Sequence, residues 1–150
     1  MTEGYTTNKA LGMDRKLKHL DIAQGVINRM GQCSFLLKGW SVILVSGLFA
    51  LAAKETNPLF VYLAYLPAIA FWILDGYYLY QERLYRQLYE DIRSREPEQI
   101  DFGMNPSAFK GHANATWVES ILSKTMLLFH GILILTIIIV MTVCLLSKGG

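Results

Sequence analysis

Three ionisable side chains stand inside otherwise apolar runs: Lys38, Asp75 and His130. A cation, an acid and an imidazole can make a salt bridge, a hydrogen-bonded lock or a polar ring along a pathway, and such residues inside membrane helices are expected to pair. Helix rise decides whether these three can meet. At 1.5 Å per residue Lys38 lies about 22 Å below Ala53, Asp75 about 25 Å below Pro58, and His130 about 25 Å below Ser147. All three therefore share one depth, near one edge of the hydrocarbon, where a charge costs less than the roughly 2.5–3.5 kcal/mol of the bilayer centre. The spacing predicts a Lys38–Asp75 pair joining the first two membrane helices, with His130 hydrogen-bonding beside it. In an assembly of copies the same level would form a polar ring.

Other chemistry finds little support. His19, His112 and His130 have no metal-ligand spacing with cysteine or carboxylate. There is no Gly-rich phosphate loop and no nucleophile elbow. Glu96, Glu98 and Asp101 fall in a solvated loop, where neighbouring acids are ordinary soluble charge. No cofactor and no catalytic residue is expected. Ser41, Ser46 and Gly47, with Ala50 and Ala53, give the first membrane helix small side chains for close helix approach or for lining a pore. Tyr77, Tyr78 and Tyr80 fit an aromatic belt at the membrane surface. Tyr85, Arg86 and Tyr89 lie beyond it and offer a face for a soluble cytoplasmic partner, although the two tyrosines are expected first to pack on the Leu20–Met30 seam.

The elements that must position these residues are all helical. Residues 1–12 read as a polar tail. From Asp14, Leu20, Ala23, Ile27, Met30 and Leu37 follow the three- and four-residue steps of a helix seam, with Ser34 at one seam position. Lys16, Lys18, Asp21, Asn28 and Arg29 keep this part out of hydrocarbon, so the helix enters the membrane only near Phe35 and spans it to Ala53. Lys38 reaches the boundary by snorkelling, beside Trp40 as an interface aromatic. Asn57-Pro58 stops the helix. A second span covers Leu59 to Leu74, kinked at Pro67, and continues past Asp75 as an amphipathic rod to Glu96-Pro97. Glu82–Arg86 and Arg86–Glu90 sit four apart on its polar face. Residues 97–124 form a loop with a short interfacial helix at Trp117–Leu122, and the third span covers Thr125 to Leu146. The expected fold is all-α: a long antiparallel hairpin over residues 13–96 with cytoplasmic extensions, and a third transmembrane helix within 125–150. A re-entrant third segment is the rival arrangement, and the length of the third run argues against it.

Composition agrees. The 150 residues are 53% apolar and 17% charged, and the charges cluster between the apolar runs. A net charge of +2 excludes the dense basic surface of a nucleic-acid binder. Cys33 and Cys144 lie in apolar stretches and read as lone thiols. The start of the chain lacks the pattern of a secretory signal or a lipidation site, so the first apolar helix is expected to act as its own insertion signal. Lys and Arg gather before the first span and around the long loop, whereas the first turn has Lys54 and the C-terminal segment Lys148. This bias places the N-terminus and the long loop in the cytoplasm and the first turn and the C-terminus outside. The Asn114-Ala115-Thr116 sequon then carries no weight, being cytosolic.

Asn28-Arg29-Met30, Ser34-Phe35-Leu36-Leu37-Lys38-Gly39-Trp40, Phe71-Trp72-Ile73-Leu74-Asp75, Gln81-Glu82-Arg83-Leu84-Tyr85-Arg86, Asp101-Phe102-Gly103-Met104-Asn105 and Phe129-His130-Gly131 together resemble a family of small uncharacterised bacterial multi-pass membrane proteins. The resemblance covers most of the chain from Arg15 to Gly131. In architecture the long hairpin is also similar to small membrane effectors that accompany nucleotide-signalling antiviral defence systems, which implies a pore-forming or membrane-disrupting role. The expected function is non-catalytic: a homo-oligomer in the bilayer acting as a regulated pore. The alternative is a membrane anchor or scaffold whose cytoplasmic helices dock a soluble partner, and the third option is an enzyme at the membrane surface.

Overall fold

The computed structural model describes residues 2–55, 57–111 and 116–149, with side chains from residue 9 to residue 147. His112, Asn114 and Ala115 lie outside the described residues. The helices are α1 (Thr2–Glu55), α2 (Leu59–Leu63), α3 (Tyr65–Ser94), α4 (Trp117–Ile121) and α5 (Lys124–Gly149), with short 3-10 turns at Pro97–Gln99 and Pro106–Phe109. No strand occurs among the described residues. Helices α1, α3 with α2, and α5 each hold a stretch long and apolar enough to cross a membrane. These apolar stretches are mostly exposed, with Phe35 at 76% and Leu66 at 70%, so much of their surface has no partner within the chain.

α1 is longer than its sequence suggests. Residues 2–12, expected as a polar tail, continue the helix. Tertiary packing explains the difference. Gly12 lies so close to Pro97 that an added Cβ would be 3.3 Å from that ring. Lys16 Nζ donates to the carbonyls of Arg93 at 2.9 Å and Arg95 at 2.5 Å. A cation there satisfies carbonyls at the end of α3 and complements its dipole. At 1.5 Å per residue the 54-residue α1 is about 81 Å long. Pro58 lies just beyond it, and the Asn57 side chain accepts from the Leu59 N–H at 3.0 Å to begin the next element.

The expected kink at Pro67 takes the form of a break at Ala64 between α2 and α3. Proline at position 67 lacks the N–H that would bond to the carbonyl of Leu63, and its ring crowds that carbonyl. The chain tightens locally, with the Ala64 N–H donating to Val61, and stays in helical dihedrals.

α1 and α3 pack along most of their length. Lys16 meets residues 93 and 95, and Lys38 meets Asp75, so positions on α3 fall as those on α1 rise. Two apolar clusters result. One joins Val45, Ala52, Val61, Ala64, Ala68 and Ile137 from α1, α2, α3 and α5. The other joins Ala23, Leu88, Ile92 and Ile100, with Leu20, Tyr85 and Tyr89 packed against it. Between them along α1 lies a polar layer.

Candidate functional site: a buried polar junction

The polar layer centres on Asp75, which has no solvent exposure. Its Oδ1 accepts from Ser34 Oγ at 2.5 Å, and its Oδ2 lies 2.5 Å from Lys38 Nζ and 3.0 Å from His130 Nε2. Lys38 also donates to Ser34 Oγ at 2.8 Å. Lys38 and Ser34 are four apart on α1, one helical turn, so both reach the same carboxylate from one face. Asp75 comes from α3 and His130 from α5, so one carboxylate ties three helices together. A buried ion offsets its desolvation only when its partners also satisfy its lone pairs, and here three donors do so.

Aromatic rings close the junction. Trp72 stacks on His130 with centroids 5.7 Å apart and planes 7° apart, while Phe129 meets the same imidazole edge-on at 5.0 Å. Lys38 Nζ lies 5.9 Å from the Phe129 centroid, within cation–π range. Trp72 Nε1 donates to the Ile121 carbonyl at 3.2 Å, which fixes the indole and draws α4 onto α3. Gly76 permits that approach: a Cβ there would fall inside the Ile121 side chain and 3.2 Å from its Cα. α4 itself begins with a capping box, Thr116 and Glu119 each bonding the other's backbone N–H. Ser120 is buried in the contact, and Arg83 donates to its hydroxyl at 3.4 Å.

Serine, histidine and aspartate are the residue types of a nucleophilic triad, but the connectivity differs. In such a triad the imidazole stands between hydroxyl and carboxylate. Here Ser34 and His130 both bind the carboxylate directly. Nε2–H of His130 donates to Asp75, and Nδ1 has no hydrogen-bond partner. The arrangement can hold helices together, and it lacks the imidazole relay of a triad.

The other candidate residues are dispersed. Ser41 is buried with its hydroxyl unpartnered, whereas Ser46 and Gly47 are exposed, and a Cβ on Gly47 would meet nothing within 4 Å. The latter two therefore do not serve helix packing inside the chain. Tyr85 and Tyr89 are half-buried and pack with Leu20 against the Ala23–Leu88 cluster. Of that trio only Arg86 is exposed, and it pairs with Glu82 at 2.7 Å. Sequence reasoning placed Ser34 on the seam without seeing its bond to Asp75, and it did not find Trp72, Gly76 or Ser120. The four-residue Ser34–Lys38 spacing is the signal that was present for the first. Cys33 and Cys144 are free, and no cluster of metal-ligating side chains occurs among the described residues. No known family model, curated protein or solved structure matches the chain.

Proposed function

We propose that this chain is a multi-pass protein of the bacterial inner membrane that acts without catalysis, as a homo-oligomer, by coupling a cytoplasmic helical stalk to three membrane spans. In this reading α1 and α3 form an antiparallel membrane hairpin. Their outer halves, with the 97–124 loop, stand in the cytoplasm, and the C-terminus is external. The Lys/Arg asymmetry supports that orientation. One observation carries the coupling: α1 and α3 run unbroken through the level at which Asp75 ties α1, α3 and α5 together. A rotation or shift of the stalk would therefore reach all three spans, because packed helices move as rigid elements.

A specific observation favours a second reading, a pore between copies. Ser46, Gly47, Ala50 and Ala53 point away from the body of the chain. Small residues on an outward face allow close helix approach between copies. Three helices leave no conduit inside one chain, so any pathway would be built by symmetry. Lys38 and His130 are both bound to Asp75 within the chain, so such a pathway would be lined by α1 and not by that polar level.

Cysteines placed at Thr2 and Gly150, with Cys33 and Cys144 replaced by serine, should react with an impermeant reagent from opposite sides of the membrane. Labelling from one side would overturn the three-span arrangement. In detergent the protein should run as a closed oligomer, and a strict monomer would overturn the assembly. Conductance in planar bilayers would select the pore over the non-conducting coupler.

A further inference from the structure

The outer end of α1 holds a buried polar group that the Asp75 junction does not use. His19 is 3% exposed, and neither ring nitrogen has a hydrogen-bond partner among the described residues. Leaving buried donors or acceptors unmet is unfavourable, so a satisfied fold would not place an imidazole there without reason. Its ring lies 5.5 Å from that of Phe102, tilted by 43°. Phe102 is unusual in its own right. Its φ is +57°, in the left-handed region that a bulky side chain rarely adopts, and the residue is 47% exposed. Strain of this kind persists where the surroundings impose it, often at ligand sites. Beside these rings opens a cavity of about 410 Å³ lined by Arg15, Lys18, His19, Ile22, Phe102 and Met104. Among the described residues no carboxylate lines it, and neither Arg15 nor Lys18 makes an ion pair.

The geometry points to a binding site for a small organic anion, a phosphate monoester carried on an aromatic body, formed by Arg15, Lys18, His19 and Phe102. Two cations without acidic partners suit a doubly charged phosphate, and the Arg fork bonds two of its oxygens. Ile22, Met104 and the open face of Phe102 offer apolar and stacking surface to a planar body. The Phe102 ring lies against His19, so a movement of that ring would open the imidazole to a ligand heteroatom that meets its unfilled hydrogen bonds. The phosphate could belong to a free ester or to a lipid headgroup. At 1.5 Å per residue His19 stands about 28 Å beyond Lys38 along α1. The interfacial layer on each side of a bilayer is only about 5–8 Å thick. With the membrane edge near Lys38, headgroups end well short of the site, which favours a soluble ester. That choice of source rests on the membrane placement proposed above; the site itself does not.

The test uses the full chain in zwitterionic nanodiscs, with the imidazoles isotope-labelled and His19 assigned through a His19→Gln variant. Phenyl phosphate at millimolar concentration should shift the His19 signals saturably and leave those of His130 in place. Inorganic phosphate alone should bind at least tenfold more weakly, because it lacks the stacking body. Lys18→Gln and Arg15→Gln, both at exposed positions that leave the fold intact, should each raise the Kd for phenyl phosphate about tenfold. No saturable shift, or a shift indifferent to both substitutions, overturns the site. His19 signals that move in phosphatidylglycerol nanodiscs but not with phenyl phosphate overturn the soluble ester. Cysteine labelling reads the membrane topology independently, so failure of that reading is distinguishable from failure of this one.

Discussion

His130 and His19 are both shut off from solvent, and their surroundings differ in nearly every other respect. His130 donates to Asp75, is stacked by Trp72 and is met edge-on by Phe129. Its carboxylate partner is in turn bonded by Ser34 and Lys38, each from the face of α1 that packs on α3. Among the described residues His19 has one tilted aromatic neighbour and no hydrogen bond. Two unpaired cations stand beside it in place of a carboxylate. A buried polar group surrounded by complementary partners is a structural lock. One with its hydrogen bonds unmet, next to an open cavity, is arranged for something the chain does not itself supply. The same residue type thus marks a joint at one level of the molecule and a receptor at another.

The contrast can be broken most forcefully at Asp75. Asp75→Ala leaves Lys38 without its counter-ion and removes the acceptor of His130, so it should destabilise by about 3 kcal/mol. Lys38 retains 23% exposure and can turn toward the interface, which keeps the loss at the lower end of the range for a broken buried pair. Thermal unfolding in detergent measures it, and a loss under 1 kcal/mol would mean that Asp75 locks nothing. Gly76→Ala comes next. Its methyl group must displace Ile121 or push α4 off α3, an overpacking cost of about 1–3 kcal/mol. The visible sign should be a changed fluorescence of Trp72, whose indole is anchored on the Ile121 carbonyl.

How much of this was legible beforehand depends on the kind of contact. Lys38, Asp75 and His130 could be brought together on paper because an apolar run has a definable end and a helix a fixed rise, so depth follows from counting. Gly76 was not legible, because its meaning depends on where the chain returns after the 97–124 loop, and no periodicity encodes that. Ser46 and Gly47 were legible as small but not as outward-facing. Which side of a lipid-exposed helix packs inward is decided by partners, and an all-apolar surface carries little pattern. Residues 2–12 looked like a tail because their composition is polar; the contacts of Lys16 and Gly12 with the far end of α3 and the turn that follows it override that local reading.

Smaller effects sharpen the comparison at the outer end. Lys16→Met should cost about 1 kcal/mol through the loss of two charge-assisted bonds to carbonyls at the end of α3. Hydrogen exchange should show it as faster exchange confined to the outer ends of α1 and α3. His19→Phe should change stability least, leaving it level or raising it by up to about 1 kcal/mol, since an unsatisfied polar group gives way to an apolar ring. A loss above 1 kcal/mol in the ligand-free protein would show that His19 has a structural task like that of His130.

The central claim is that Asp75 holds α1 and α5 at once, and two double-mutant cycles sharing that residue address it directly. Asp75→Asn is combined with Lys38→Met in one and with His130→Phe in the other, and unfolding free energies are measured in the same detergent. Coupling of about 1 kcal/mol in each cycle is the predicted result. Coupling with Lys38 but none with His130 would contradict the account, because α5 would then lie beside the junction without being held by it.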